Sequence, residues 1–192
     1  MGKILRYSLT MISILILAIL VVHSAISKVM AAPVAGTSAI MAYNQTAQDS
    51  TTQLAYKKLA IKRVLEKYNS VLAANADDFM KACENYNLDC YLLPSIAGLE
   101  STFGQNIYPR SYNAWGWGRG LIMFKDWADG INTIGAGLRK NYINKGAQDV
   151  YEIGRIYSES PTWAVRVEHF MKEFQAEENQ ISLFFNQNPV QL

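Results

Sequence analysis

The stretch that most constrains the fold of this chain is residues 92–104, which is mostly apolar and carries a single carboxylate. Its apolar content and its small residues Ser95, Ala97 and Gly98 predict a short buried helix against which other elements pack closely. Glu100 lies near its end, before a turn expected at Gly104, and we predict that apolar neighbours half-bury it. Because burial disfavours the charged form of a carboxyl group, such a residue suits a general acid near neutral pH. The alternative is a solvated carboxylate at a helix end, as most glutamates are.

The rest of the pattern predicts a mainly helical, all-α domain of about six or seven helices, with at most a small hairpin at 108–124. Apolar residues recur every three or four positions along most of the chain, and Asp or Ser precedes several of the apolar runs as a helix cap. The predicted helices run from about Thr51 to Ala74, from Asp77 or Asp78 to near Tyr86, from Asp89 to about Glu100, after Asp126, from Val150 to about Tyr157 with Asp149 as cap, and from Ser160-Pro161 onward.

The N-terminus has the pattern of an export signal. Lys3 and Arg6 precede an apolar run over residues 11–22 that only Ser13 interrupts, and small residues suit cleavage after Ala31. The run is short for a membrane span, which needs roughly 20 apolar residues. Two interpretations stay open, a cleaved signal peptide and an uncleaved membrane anchor through residues 11–26.

Both interpretations place the remainder outside the cytoplasmic membrane, as an extracellular, cell-wall or periplasmic protein. We predict a leader or anchor over residues 1–31, a linker rich in Ala, Ser, Thr and Gly over 32–48, and one domain over 49–192.

The charge balance gives no sign of nucleic-acid binding. Residues 1–31 hold three of the 18 basic residues and none of the 16 acidic ones, so the remainder carries a net charge of −1. A nearly neutral chain lacks the electrostatic footprint of a nucleic-acid-binding protein. A basic cluster on the first long helix is either a contact for anionic wall polymers or simply a solvated face. Its members are Lys57, Lys58, Lys62, Arg63 and Lys67.

Cys83 and Cys90 are the two cysteines of the chain. An exported chain with an even cysteine count favours a disulfide between them, and the alternative is two free buried thiols. No histidine lies near either cysteine in the sequence, so zinc binding and thiol catalysis are not expected, nor is any cofactor. Outside the leader the one histidine is His169, which we expect at the surface.

Residues 108–120 combine aromatic, glycine and hydrogen-bonding residues without a helical period. Glycines let a backbone approach a ligand closely, and Trp or Tyr rings stack on flat apolar faces such as those of sugars. This composition is typical of a glycan groove. The alternative is a glycine-rich hairpin whose tryptophans fill the core, and for Trp117 the two interpretations have equal weight.

Three segments of the chain resemble segments of a known enzyme family. Residues 92–104 resemble the catalytic helix of lysozyme-like peptidoglycan glycosidases, which include the soluble lytic transglycosylases and bacterial endo-β-N-acetylglucosaminidases; the shared mark is Glu-Ser followed by Phe-Gly. Residues 113–118 look like the loop that closes the same groove, and Tyr157 with Pro161-Thr162-Trp163 looks like the later aromatic segment. The likeness covers about residues 75–175. The Gly-Leu-Met-Gln segment usual in lytic transglycosylases is replaced here by Trp-Gly-Trp-Gly.

The resemblance implies a lysozyme-like fold and an enzyme that cleaves β-1,4 bonds between N-acetylmuramic acid and N-acetylglucosamine in peptidoglycan strands. It implies that Glu100 is the general acid and base. The residues that it implies for substrate contact are Ser101, Tyr112, Asn113, Trp115, Trp117 and Tyr157.

Hydrolysis of a glycoside normally uses two carboxylates. Asp126 and Asp129 are candidates for the second, but each is also explained as a helix cap or first-turn acid. A single-acid scheme fits the sequence better, with the substrate's acetamido group stabilising the anomeric carbon. The product is then either an anhydro sugar or a reducing end.

Two other functions compete with the glycosidase. One is a catalytically inactive peptidoglycan-binding or scaffold protein of the cell envelope, in which the aromatic loop only binds. The other is a helical adaptor that recruits a partner through the anchor and the basic first helix.

Overall fold

The computed structural model describes the backbone of residues 35–187 and the side chains of residues 49–187. The predicted leader or anchor over 1–31 therefore lies outside the described residues. The chain divides into two units, Met1–Gln48 and Asp49–Leu192, and the second contains every side chain considered below. No helix of the described part is both long and apolar enough to cross a bilayer.

Across residues 35–187 the chain forms six α-helices and no strand, which confirms the all-α prediction. Two short 3₁₀-helices, Val71–Asn75 and Ile143–Lys145, connect α-helices. The α-helices are α1 (Ala35–Lys67), α2 (Ala76–Tyr86), α3 (Leu92–Ser101), α4 (Trp127–Asn141), α5 (Val150–Tyr157) and α6 (Trp163–Gln187).

The first helix differs from its predicted bounds at both ends. It begins at Ala35 rather than near Thr51, and it ends at Lys67 rather than at Ala74. Asn69 adopts a left-handed backbone with φ 51°, which asparagine tolerates better than most residues. Ser70 then caps the following 3₁₀-helix by accepting a hydrogen bond of 3.0 Å from the Leu72 N–H. This local capping ends α1 before the apolar period does.

The third helix is the centre of the core, as predicted. Every residue from Leu92 to Gly98 is buried, and the helix packs against α4 and α6. A Cβ on Gly98 would lie 2.6 Å from the ring of Phe103, which is itself fully buried. The glycine therefore allows the phenylalanine that follows the helix to fold back onto it.

The end of α3 is fixed by two residues in the left-handed region. Thr102 and Phe103 have φ values of 52° and 55°, and their N–H groups donate to the carbonyls of Gly98 (3.1 Å) and Ala97 (3.0 Å). Such bonds satisfy carbonyls that a helix end would otherwise leave unpaired. The turn expected at Gly104 thus starts two residues earlier and sets the direction of the next segment.

The disulfide between Cys83 and Cys90 is present and confirms the favoured interpretation. It connects the end of α2 to the turn before α3. Asp126 and Asp149 cap α4 and α5, each accepting a bond of 2.8 Å from a backbone N–H three residues later. Helix α6 begins at Trp163, two residues after the predicted position at Pro161.

The basic cluster of α1 is ion-paired throughout. Three of its members reach carboxylates of α6: Lys57 with Glu178 (3.1 Å), Arg63 with Glu177 (3.2 Å) and Lys67 with Glu173 (2.6 Å). Lys58 pairs with Asp77 of α2, and Lys62 pairs with Glu66 of α1. Exposed pairs of this kind contribute little to stability, but here they join α1 to α6.

Candidate functional site

Glu100 lies on the last turn of α3, where the helix leaves the core, and its side chain is exposed rather than half-buried as predicted. A hydrogen bond, rather than burial, fixes its orientation: Trp163 Nε1 donates to Glu100 Oε1 over 2.7 Å. The other oxygen faces Gly116, where an added Cβ would lie 3.3 Å from Oε2. The carboxylate therefore lies between an indole of α6 and the backbone of the loop between α3 and α4.

A cavity of about 470 Å³ opens beside this carboxylate. Among the described residues that line it, Glu100 is the only carboxylate and Arg119 is the only cation. Its volume lies within the range of small-ligand sites. The lining consists of Glu100, Ser101, Asn106, Ile107, Tyr108, Asn113, Gly116, Arg119, Gly120 and Leu121.

A second cavity of about 360 Å³ lies on the other side of Gly116, which lines both. Trp117, Gly118 and Tyr157 also line it, with Asn141 and Tyr142 of the α4 end. Gly116 has φ 70°, a backbone conformation that strains other L-residues. Because Gly116 has no side chain, its backbone itself forms part of the wall of both cavities.

Ser101 positions the loop rather than offering a free hydroxyl. Its Oγ accepts from the Gly104 N–H (2.8 Å) and donates its single proton towards the carbonyls of Ala114 (2.8 Å) and Ala97 (3.0 Å). The residue is buried. Although Ser101 borders the cavity, its hydrogen-bonding capacity is used within the protein.

Asn113 organises the Trp-Gly segment. Its Nδ2 donates to the carbonyls of Trp117 (2.8 Å) and Ile122 (3.2 Å), and its Oδ1 accepts from the Trp117 N–H (3.2 Å). The side chain is buried. The hydrogen bonds of this side chain take the place of the strand pairing that the predicted hairpin would have had. They stabilise the segment, which forms no strand in the described chain.

Trp115 was expected to contact substrate, and the structure corrects this prediction. The residue is 0% exposed, its Nε1 donates to the Leu93 carbonyl over 2.9 Å, and its ring meets Phe79 edge-on at 6.5 Å. Trp115 therefore belongs to the core and attaches the loop to α3. The alternative in which the tryptophans fill the core is correct for this residue.

Tyr112 lies away from both cavities. Its ring meets Trp127 edge-on at 5.2 Å and is half-buried, and neither cavity has it in its lining. The fold therefore does not bring Tyr112 to Glu100 as expected.

Trp117 and Tyr157 form one wall of the second cavity and connect to Glu100 through Trp163. The Trp117 ring covers Gly137 of α4, and its Nε1 donates to the Tyr157 hydroxyl over 3.0 Å. That hydroxyl in turn donates to the Trp115 carbonyl over 2.7 Å. The Tyr157 ring stacks on Trp163 at 4.7 Å between centroids.

Tyr157 remains neutral at physiological pH. Burial raises the pKa of its hydroxyl well above the usual value, and the negative charge of Glu100 raises it further. The hydroxyl can therefore keep both of its hydrogen bonds, and the network that surrounds Glu100 stays uncharged.

Asp126 and Asp129 have local roles. Asp126 accepts from the Asp129 N–H, and Asp129 Oδ2 accepts from the Lys125 N–H over 3.0 Å. Neither residue lines either cavity. The explanation by helix capping accounts for both carboxylates.

Sequence reasoning missed three features of the site: the hydrogen bond from Trp163, the close approach of Gly116 and the position of Arg119. Trp163 was visible within the Pro-Thr-Trp segment, but nothing in the sequence predicted that its indole donates to Glu100. Nothing in the sequence separates Arg119 from the other exposed cations. His169 is exposed, as predicted.

A larger cavity of about 590 Å³ lies elsewhere, between the start of α3, α5 and α6. It is lined by apolar side chains such as Leu92 and Met171 and bordered by carboxylates that include Asp149 and Glu168. It contains none of the residues predicted for substrate contact. No group of three or more His, Cys, Asp or Glu within the described residues is placed to hold a metal ion.

The comparisons with known proteins add no family to this geometry. No protein-family model matches the chain, and no curated protein matches it either.

Proposed function

We propose that this protein is a peptidoglycan glycosidase that cleaves β-1,4 bonds between N-acetylmuramic acid and N-acetylglucosamine, with Glu100 as its general acid and base. The observation that carries the proposal is a single carboxylate beside a cavity of about 470 Å³, facing a glycine of the Trp-Gly loop. The resemblance of residues 92–104 and 113–118 to lysozyme-like glycosidases supports the same assignment.

A one-carboxylate mechanism suits this lining. The protonated carboxyl of Glu100 gives its proton to the glycosidic oxygen as the bond to the anomeric carbon breaks. The carbonyl oxygen of the substrate's own acetamido group then stabilises that carbon, a route that replaces the usual second carboxylate. Glu100 next takes a proton from the sugar's 6-hydroxyl, which gives an anhydro product, or from water, which gives a reducing end.

The hydrogen bond from Trp163 supports this cycle in a specific way. An N–H donor at 2.7 Å stabilises the carboxylate that remains after the proton has been given away. The indole also fixes the orientation of an otherwise exposed side chain. The second oxygen is left to face the cavity and Gly116.

The exposure of Glu100 favours a second candidate, a catalytically inactive protein that binds peptidoglycan in the cell envelope. Glu100 lacks the burial predicted for a general acid, and an exposed carboxylate can instead accept hydrogen bonds from sugar hydroxyls. On this account the two cavities bind glycan strands and no bond is cleaved.

The test uses the purified full chain on insoluble peptidoglycan. We expect soluble fragments to be released, and Glu100→Gln to slow release by about 10²-fold or more, because the amide cannot donate a proton in the same way. Gln keeps the size of the side chain and an acceptor for Trp163. Glu84→Gln is the matched control, since Glu84 is an exposed helical carboxylate outside both cavities.

Release by Glu100→Gln at the wild-type rate would contradict the glycosidase. Binding to the polymer without any soluble fragment would support the inactive binding protein. Mass spectrometry of the fragments separates anhydro ends from reducing ends, and the terminal sugar identifies the bond. Under either candidate we propose that the domain acts outside the cytoplasmic membrane, to which residues 1–31 would deliver it.

A further inference from the structure

Arg119 lines the same cavity as Glu100, and no described residue pairs with its charge. Within the described residues its guanidinium makes no hydrogen bond and no ion pair, whereas all five cations of the α1 cluster are paired. The residue is exposed. A guanidinium has five N–H donors, and none of those of Arg119 is hydrogen-bonded to a described protein group.

The backbone at Arg119 is held in a costly conformation. Its φ is 59°, in the left-handed region that residues with a Cβ enter only at a cost in free energy. The surrounding turn maintains it: the Gly120 N–H donates to the carbonyls of Gly116 (3.0 Å) and Trp117 (3.1 Å), and the Leu121 N–H donates to Gly118 (3.1 Å). The turn therefore fixes the point from which the Arg119 side chain leaves the backbone.

The lining that Arg119 shares is mixed, and two of its side chains present exposed apolar surface. Tyr108 is 58% exposed and Leu121 is 65% exposed, so both present apolar surface to a ligand in this cavity. A guanidinium in one cavity with two exposed apolar side chains suits a carboxylate on a short alkyl arm. A guanidinium binds a carboxylate through two parallel hydrogen bonds, which gives this contact geometric specificity.

We propose that Arg119 binds a carboxylate of the lactyl-peptide branch that the muramic sugar carries beside the bond to be cleaved. The inference rests on the proposed function, because it names which part of a peptidoglycan strand the Glu100 cavity recognises. Tyr108 and Leu121 contact the alkyl portion of the branch. The site therefore distinguishes strands with free carboxylates from strands whose carboxylates are amidated.

The test measures kcat and KM of the full chain on soluble glycan strands before and after chemical amidation of their carboxylates. For the wild type, we expect amidation to raise KM about tenfold with little change in kcat, because a ground-state charge contact is lost. Arg119→Ala should show the same rise on native strands and no further rise on amidated ones. Arg119→Gly should behave in the same way, since it removes the side chain and also relieves the positive φ.

Arg110→Ala is the matched control. Arg110 is exposed, has a positive φ of 65°, lies in the same loop and does not line the cavity. It should keep the wild-type KM and its full sensitivity to amidation. Circular dichroism of each variant verifies that it is folded.

Strands from which the peptides have been removed identify the carboxylate. Removing a peptide frees the lactyl carboxyl group, which is amide-linked wherever a peptide is attached. An effect of Arg119→Ala that disappears after peptide removal assigns the contact to a peptide carboxylate, and an effect that grows after removal assigns it to the lactyl carboxylate; both support the proposal. Equal sensitivity of wild type and Arg119→Ala to amidation would overturn it, as would an unchanged KM.

The proposed function can fail separately. If the wild type cleaves no strand, equilibrium binding of Glu100→Gln to native and amidated strands replaces the kinetic measurement. Tenfold weaker binding to amidated strands, abolished by adding Arg119→Ala, would support carboxylate recognition in a protein that does not cleave. Equal binding to both kinds of strand would overturn the recognition as well.

Discussion

The loop between α3 and α4 has two halves that behave in opposite ways. In its first half, residues 111–117, the side chains of Ser111, Asn113 and Trp115 are buried. In its second half, residues 118–123, Arg119 and the three apolar residues that follow Gly120 are exposed. Most side chains of the half that carries the recognisable motif hold the loop in place, while its Gly116 and Trp117 also line cavities. The less distinctive half offers its side chains to a ligand.

The difference arises from where the polar groups find partners. Asn113 and Ser101 bond to backbone groups of the first half, and Trp115 bonds to α3, so these side chains are saturated inside the protein. The described part of the chain offers no partner to the Arg119 guanidinium. A motif residue thus contributes to a site without contacting the ligand, by fixing the backbone that surrounds it.

The largest effect is expected for Trp115→Ala, which breaks the anchored half. Removing a fully buried indole leaves a cavity and removes the hydrogen bond to the Leu93 carbonyl, so the free energy of unfolding should fall by about 3–5 kcal/mol. Urea denaturation followed by circular dichroism measures the change. A loss below about 1 kcal/mol would mean that the first half does not hold the loop.

Tyr157→Phe tests the hydroxyl that connects the loop to α5. It removes bonds to the Trp115 carbonyl and the Trp117 indole, so the free energy of unfolding at neutral pH should fall by about 1–2 kcal/mol. The pH dependence has a definite sign. Because the pKa of Tyr157 is raised in the folded state, its contribution is complete below about pH 10 and is lost as pH rises above that value.

Urea denaturation at intervals between pH 8 and 11 measures this contribution, because that range brackets the ordinary tyrosine pKa of about 10. Above pH 10 the free energy of unfolding should fall with rising pH more steeply for the wild type than for Tyr157→Phe. The difference in slope should be about 1.4 kcal/mol per pH unit. Tyr108→Phe is the control, because Tyr108 is exposed and its hydroxyl has no hydrogen bond in the described part of the chain. Parallel alkaline profiles for wild type and Tyr157→Phe would contradict the expectation.

The smallest effect is expected for Leu121→Ser in the exposed half. Leu121 is 65% exposed, so the free energy of unfolding should change by less than about 0.5 kcal/mol. The same urea titration measures it. A loss above 1 kcal/mol would show that the second half is also part of the core and would remove the contrast between the halves.

Local chemistry made much of the fold predictable. Asp126 and Asp149 cap helices because an aspartate oxygen three residues before a free N–H reaches it wherever the helix lies. The pairing of Cys83 with Cys90 follows from a short separation and an even count. The end of α1 was predicted less well, because the choice between continuing the helix and starting a 3₁₀-turn depends on Ser70, which also donates to the Phe103 carbonyl over 2.8 Å.

The site was predicted only in part for the same reason. Residue types and spacing identified Glu100 and the loop, since a carboxylate after an apolar helix and a run of glycines and aromatics are local features. Residue types and spacing did not predict that Trp115 lies in the core and Trp117 at a cavity, because the two tryptophans are separated only by Gly116. Without a helical or strand period, a loop gives no rule for which side of it is buried.

The sequence by itself predicted a mainly helical fold of about six or seven helices, several helix caps, a favoured disulfide and a carboxylate near the end of the central helix, because short-range patterning and capping decide those features. The contacts between distant segments decide the rest: that Trp163 holds Glu100 across 63 positions, that Trp115 is buried, and that Arg119 is left unpaired in the described structure. Burial and hydrogen-bond partnership depend on which segments meet, and no local pattern encodes that meeting.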